Sequence, residues 1–149
     1  MSILRLCDRE SVTIPPHATA ADAIRLMLER RVGSVVIVDS KQVVGIFTER
    51  DVLKKLALSG RDPAKVPVAE LMTSPVTTVD PQTTPGDALG SMLEHNFRHL
   101  PVVDSAGRLR GVLSIRKLLH EQMEQFRQQL HSLEHYVASE EPGVTKARG

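Results

Sequence analysis

The feature that most constrains this chain is that it is written twice. Val32-Gly33-Ser34-Val35-Val36-Ile37-Val38-Asp39, followed by Gly45-Ile46-Phe47-Thr48-Glu49-Arg50-Asp51, returns as Phe97-Arg98-His99-Leu100-Pro101-Val102-Val103-Asp104 and Gly111-Val112-Leu113-Ser114-Ile115-Arg116-Lys117. Asp39 and Asp104 are 65 positions apart, and Thr48 and Ser114 are 66 apart. The one-residue slip falls in the turn, Ser40-Lys41-Gln42 against Ser105-Ala106-Gly107-Arg108. A duplication of this length is a supersecondary unit that stacks on its copy. Positions where the copies differ are therefore where the halves do different chemistry.

Each copy reads as β-α-β-β-α. In the first, Ser11–Ile14 is β-prone and stopped by Pro15-Pro16, and Thr19 caps a helix running to Arg30/Arg31. Gly33 suits the C′ position that ends that helix. Ser34–Val38 is a continuous apolar run, read as a strand buried on both faces, and Val43–Phe47 is its returning partner. Thr48 caps a helix from Glu49 to Leu58, and Val68–Met72 is a short helical turn. The second copy predicts a strand at Val76–Val79, a helix from Asp87 to Asn96 entered through Pro85, and strands at Leu100–Val103 and Arg110–Leu113. The fold class is α+β. Residues 8–60 form the first repeat, 61–74 the linker, 75–120 the second repeat, 121–139 a helical extension and 140–149 a loose tail.

The closing helix outgrows its counterpart. Leu119, Met123, Phe126, Leu130, Leu133 and Val137 follow alternating steps of four and three, a heptad seam. Such a stripe packs either on the last sheet or on a helix of another subunit. The second is favoured, because one small sheet cannot cover three heptad turns.

The two copies diverge in charge at the start of the last helix of each. Thr48 and Asp51 stand three apart, on one first helical turn. On spacing alone this is a capping box. The other reading is a carboxylate that accepts bonds from the vicinal hydroxyls of a ribose, as acidic residues do at dinucleotide sites. The second copy keeps Ser114, replaces the acid with Lys117, and presents Arg98, His99 and Arg116. If the copies pack face to face, the acid of one meets the bases of the other. A sugar held at Asp51 would then have its phosphate near Arg98 and Arg116. Backbone donors at the start of the helix after Thr48 would assist. Against this stands the bland reading of Arg98 and His99 as solvated charge at a helix end.

Gly45-Ile46-Phe47-Thr48-Glu49-Arg50-Asp51 resembles the G-h-x-T/S-x-x-D signature of CBS domains, the repeats named after cystathionine β-synthase. Arg98-His99-Leu100-Pro101-Val102-Val103-Asp104 and Leu71-Met72-Thr73 are similar to other parts of that family's pattern, and the likeness covers roughly residues 8–120. It implies a tandem pair about a pseudo-twofold axis with two clefts. It also implies an adenosine-containing ligand (AMP foremost, or ATP, ADP, NAD or S-adenosylmethionine), a regulatory role and a homodimer. By the resemblance, Thr48 and Asp51 hold the ribose and Ile46 lines the base. Arg98 and Arg116 hold phosphate beside His99, while Pro101 and Ala88 face the base with Thr83 nearby. In a weaker second cleft Ser114 would hold a hydroxyl and Arg50 a phosphate. Lys117 departs from the family acid there, since an ammonium accepts no hydrogen bonds. One adenine nucleotide per chain is expected, as a regulatory ligand and not as a cofactor.

Other function classes find little support. The net charge is +1, with no Trp and one Tyr, so neither a bulk field nor an aromatic platform recruits nucleic acid. No stretch nears the ~20 apolar residues of a membrane span. The N-terminus has no apolar run of signal-peptide length, and the single Cys7 fits a reducing compartment; a cytoplasmic protein is expected. There is no nucleophile with its base and no glycine-rich phosphate loop. His131 and His135 lack the glutamate of a zinc-protease motif and read as a solvated helix face, so no metal site and no catalysis are expected. The rival to a nucleotide sensor is a dimerisation scaffold whose clefts bind nothing. A regulated protein partner is implied but not named by the sequence.

Overall fold

The computed structural model describes residues 2–8 and 10–140. In the first half, strand β1 (Thr13–Ile14), helix α1 (Ala20–Arg30), strands β2 (Ser34–Asp39) and β3 (Gln42–Thr48), and helix α2 (Glu49–Asp51) follow in order, and α2 runs into a π turn at Val52–Leu56. In the second, helix α3 (Pro85–His95), strands β4 (His99–Val103) and β5 (Leu109–Ser114), and helix α4 (Ile115–Glu140) repeat the plan. The sheet order is β1-β2-β3, with β1 parallel to β2 and β3 antiparallel. Strands β4 and β5 pair antiparallel in the equivalent register, His99 opposite Ser114 as Ser34 is opposite Thr48. Both hairpins carry a register shift at the same place, Ile37/Val38 and Val102/Val103, so the duplication extends to the irregularities.

Each half has its own core. Phe47, Val35, Ile37, Ala23 and Met27 centre the first, and Leu100, Val102, Leu113, Met92 and Ala88 the second. Neither core is closed by its own repeat alone. A 3-10 turn at Val68–Glu70, in the linker, sends Val68 and Leu71 into the first core. A second 3-10 turn, Ile3–Leu6, lies before the first repeat yet sends Ile3, Leu6 and Cys7 into the core of the second. The segment preceding each repeat thus completes the other one.

Two glycines make this crossing fit. A Cβ on Gly45 would overlap the Met72 side chain, and a Cβ on Gly111 would lie 2.7 Å from Cys7. Each glycine lets the visiting segment lie flat on the sheet. Thr73 and Ile46 then exchange two backbone bonds, 2.8 and 3.1 Å, and the Asp8 amide donates to the Val112 carbonyl at 3.1 Å.

Three features depart from the sequence-based expectation. Val76–Val79 is not a strand; only Val79 bridges to Val102. The cause is Pro101. Its counterpart Val36 donates to the Val12 carbonyl at 2.9 Å, but proline has no N–H to give the equivalent Thr77. Helix α1 is not ended by a glycine: Arg31 takes the left-handed conformation at φ 55°, as Asn96 does at φ 58° after α3. Gly33 serves the packing of His99 instead, since a Cβ there would lie 3.0 Å from the imidazole Cε1. The helix after Thr48 is α-helical only to Asp51 before it widens to π bonding, with Ala57 N–H donating to the Val52 carbonyl at 2.8 Å. Of the two alternatives for the heptad stripe of α4, packing on the last sheet is not what the structure shows. Leu118 is buried, but Leu119, Met123, Phe126, Leu130, Leu133 and Val137 are 42% to 65% exposed in the single chain. The tail expected from residue 140 falls, beyond Glu140, outside the described residues.

Two outcomes follow from the crossing. Ile3→Ala should lower the unfolding free energy by about 2–5 kcal/mol, the cost of a core truncation, although Ile3 lies outside the second repeat. Leu28→Ala, on an exposed position, should change it by less than about 0.5 kcal/mol; urea titration compares the two. Gly45→Val should cost about 1–3 kcal/mol or more by forcing Met72 off the sheet, read by the same titration.

Candidate functional site

The end of β3, helix α2 and its π turn, and the crossing linker build one wall of a cavity of about 400 Å³ between the halves; residues His95 to His99 build the other. This volume lies within the ordinary range for small-molecule sites.

Asp51 is the centre of the first wall. The strand-to-helix turn makes Thr48 the N-cap, and the capping box is complete in both directions. The Asp51 amide donates to Thr48 Oγ1 at 3.2 Å, while Asp51 Oδ2 accepts from the Thr48 amide at 3.0 Å and from Thr48 Oγ1 at 3.2 Å. Oδ1 accepts from Thr73 Oγ1 at 3.1 Å and lies 3.1 Å from Lys55 Nζ. A carboxylate only 6% exposed is tolerable because each oxygen has two donors. The Thr48–Asp51 pair is a capping box, and it also lines the cavity.

Across the gap the Arg98 side chain is exposed and, among the described residues, makes no hydrogen bond or ion pair. The rings of His95 and Phe97 stack with centroids 5.5 Å apart. Burial holds the His99 pKa below its usual value. The Asp8 and Glu49 carboxylates oppose that shift, and Arg98 adds to it. His99 is therefore a neutral ring at neutral pH, set against Gly33. Arg50 reaches over the seam, its Nη1 donating to the Asn96 carbonyl at 2.9 Å. Arg50, Lys54, Lys55 and Arg98 against Glu49 and Asp51 leave the lining net cationic.

Of the residues expected to bind ligand, Ile46, Thr48, Asp51, Arg98 and His99 line this one cavity. Arg50, expected in the other cleft, lines it too. The other four residues expected in the first cleft lie elsewhere. Ala88 is packed in the second core, and Pro101 is buried in β4. Thr83 borders a shallow depression with Asp80 and Asp104. Arg116 is exposed on the first turn of α4. Two of the helix-start amides are already used: the Glu49 amide donates to the Gly33 carbonyl at 3.2 Å, and the Asp51 amide to Thr48 Oγ1.

The sequence reading overlooked Lys55 and Thr73. Thr73 belongs to the linker and reaches Asp51 only through the crossing over Gly45. Lys55 had a legible signal, its position four residues after Asp51.

The equivalent place in the second half is built differently. Ser114 Oγ accepts from the Lys117 amide at 3.3 Å, but the Lys117 ammonium points to the Cys7 carbonyl at 3.2 Å. Asp8 occupies the position that Thr73 holds in the first half, pairing with Val112 as Thr73 pairs with Ile46. Burial, with help from Asp8, pushes the Cys7 thiol up to about 11, so it is an unreactive packing group. Among the described residues no three His, Cys, Asp or Glu side chains gather as metal ligands, and no helix is long and apolar enough to cross a membrane.

The family model for the CBS domain matches the chain twice, at residues 3–58 and 68–124. Both matches begin at the segments that cross into the opposite half. An uncharacterised 17.7 kDa protein of Acidianus ambivalens is 46% identical over 106 residues, a match spanning 70% of this chain and 63% of that protein. Among solved structures, a putative signal-transduction protein with CBS domains from Burkholderia ambifaria superposes with a TM-score of 0.76 at 34% identity, covering 83% of this chain and 95% of that one. The CBS domain protein PAE2072 of Pyrobaculum aerophilum, solved in complex with AMP, gives 0.71 at 32% identity over 78% and 89% of the two chains. With two matched repeats, a reciprocal crossing and the same fold in its relatives, the chain belongs to the CBS-domain family.

Proposed function

We propose that the cavity between the halves binds the nucleoside and phosphate of an adenine nucleotide, AMP foremost, and that the protein is a non-catalytic sensor that modulates a partner. The observation that carries this reading is the shared cavity: a buried carboxylate with its threonine on one wall and an uncommitted guanidinium on the other. Thr48 and Asp51 offer acceptors for a ribose, Ile46 an apolar surface for a base, and Arg98 a charged fork for phosphate. The AMP complex of PAE2072, a relative at 32% identity, supports the same ligand class here. One nucleotide per chain fits the second half, where Lys117 replaces the acid. A ligand that touches both walls favours one relative arrangement of the halves, and that differential affinity is the signal.

The exposed stripe of α4 supports a homodimer. Six apolar side chains at heptad spacing on one face match the surface a second copy of the same helix would present. Nucleotide sensing and dimerisation coexist in this reading, and a scaffold with empty clefts is its rival.

Thermal unfolding with and without AMP tests the ligand. At a concentration 100 times the dissociation constant, AMP should add about 2.7 kcal/mol of stability. Arg98→Ala should leave the unliganded melting temperature in place and weaken AMP about tenfold or more, while adenosine affinity stays unchanged. No AMP stabilisation of the wild-type chain would favour the scaffold.

Sedimentation tests the second part: Phe126→Glu with Leu133→Glu should convert a dimer to a monomer at micromolar concentration without altering the AMP response.

A further inference from the structure

We infer that Lys55 is an internal competitor for the ribose-binding carboxylate and that, once displaced, its ammonium becomes a phosphate-binding group, so that the cavity selects phosphorylated nucleotides over the bare nucleoside. This rests on the nucleotide reading of the same site and deepens it.

An ionised carboxylate offers about four acceptor positions. In Asp51 all four are used: the Thr48 amide and hydroxyl on Oδ2, and the Thr73 hydroxyl and Lys55 ammonium on Oδ1. A diol that binds Asp51 must remove one of these donors. The Thr48 amide is fixed by the backbone. Both hydroxyls are held close, Thr48 as the helix cap and Thr73 by the two backbone bonds to Ile46. Lys55 is the donor free to leave. Its side chain is 38% exposed, it lines the cavity, and it hangs from a flexible stem.

Of its other bonds only one is close, and it must be given up as well. Nζ lies 3.0 Å from the Leu71 carbonyl, but 3.4 Å from both the Met72 carbonyl and Thr73 Oγ1, beyond the usual N–H···O range. The π turn at Val52–Leu56 widens the helix between Asp51 and Lys55, and such single π turns are frequent at functional sites.

Displacement leaves an unpaired cation in a cavity that also holds Arg50, Lys54 and Arg98. A nucleoside brings it acceptors but no negative charge. A phosphate brings that charge. The same lysine therefore opposes the sugar and favours the phosphates.

Isothermal titration of adenosine, AMP and ATP into the wild-type chain and into Lys55→Met tests this. Lys54→Met is the control, removing an equal charge from the same cavity without touching Asp51. Lys55→Met should bind adenosine about fivefold to tenfold more tightly than wild type, with the preference for ATP over adenosine reduced. Lys54→Met should weaken ATP without improving adenosine. Lys55→Gln keeps a donor for the Leu71 carbonyl, covers the case in which Lys55→Met does not fold, and should shift in the same direction. Adenosine affinity unchanged or weakened in the folded Lys55 variants overturns the role of Lys55 alone. Binding of none of the three to any form, wild type included, overturns the nucleotide reading and this inference together.

Discussion

The structure depends on a pair of backbone crossings. The linker lies on β3 through the bonds of Thr73 with Ile46, and the N-terminal segment lies on β5 through the bond of Asp8 with Val112. Both need a glycine beneath them, because any side chain at Gly45 or Gly111 would occupy the space of Met72 or Cys7. Each half borrows apolar side chains from the segment before the other, so neither hydrophobic core is complete until both are in place. The cavity inherits this dependence. Thr73 stands beside Asp51 only because the linker passes over the sheet there.

The site is a balance of charge at close quarters. A buried carboxylate would be costly alone, and Thr48, Thr73 and Lys55 offset that cost from three separate parts of the chain. The facing wall leaves its guanidinium in solvent and keeps His99 neutral by burial. The negative charge of Asp51 is thus buried and bonded, while the Arg98 guanidinium opposite is exposed. Under the proposed function a ligand's sugar would meet the first and its phosphate the second.

Much of this was legible in the residues. The α+β class and the two repeats follow from the duplication, and Thr19, Thr48 and Pro85 mark helix starts where the structure has them. Thr48, Asp51, Arg98, His99 and Ile46 do share a cavity. What escaped were effects that local pattern does not encode. The glycine rule placed a helix end at Gly33, but Arg31 absorbs the left-handed turn, and Gly33 makes room for a ring 66 residues away. Ala88 and Pro101 look like cleft residues by resemblance, yet Ala88 is spent on the core of the second half, and Pro101 is fully buried in β4 on the face opposite Leu100 and Val102. The exchange of Ile3–Cys7 between halves is a property of the whole chain path and leaves no periodic trace.

Pro101 also has a consequence for motion. By withdrawing one amide from the sheet, it leaves the Val76–Val79 stretch tethered at a single rung, where the first half has a two-residue strand. The two copies therefore differ in stiffness as well as in charge. The wall bearing Asp51 is braced by three strands, and the wall bearing Arg98 by two. Amide protons along the second wall should trade with solvent sooner than their twins in the first, since unpaired sheet edges open at lower free energy. One jaw is thereby tied by more sheet bonds than the other.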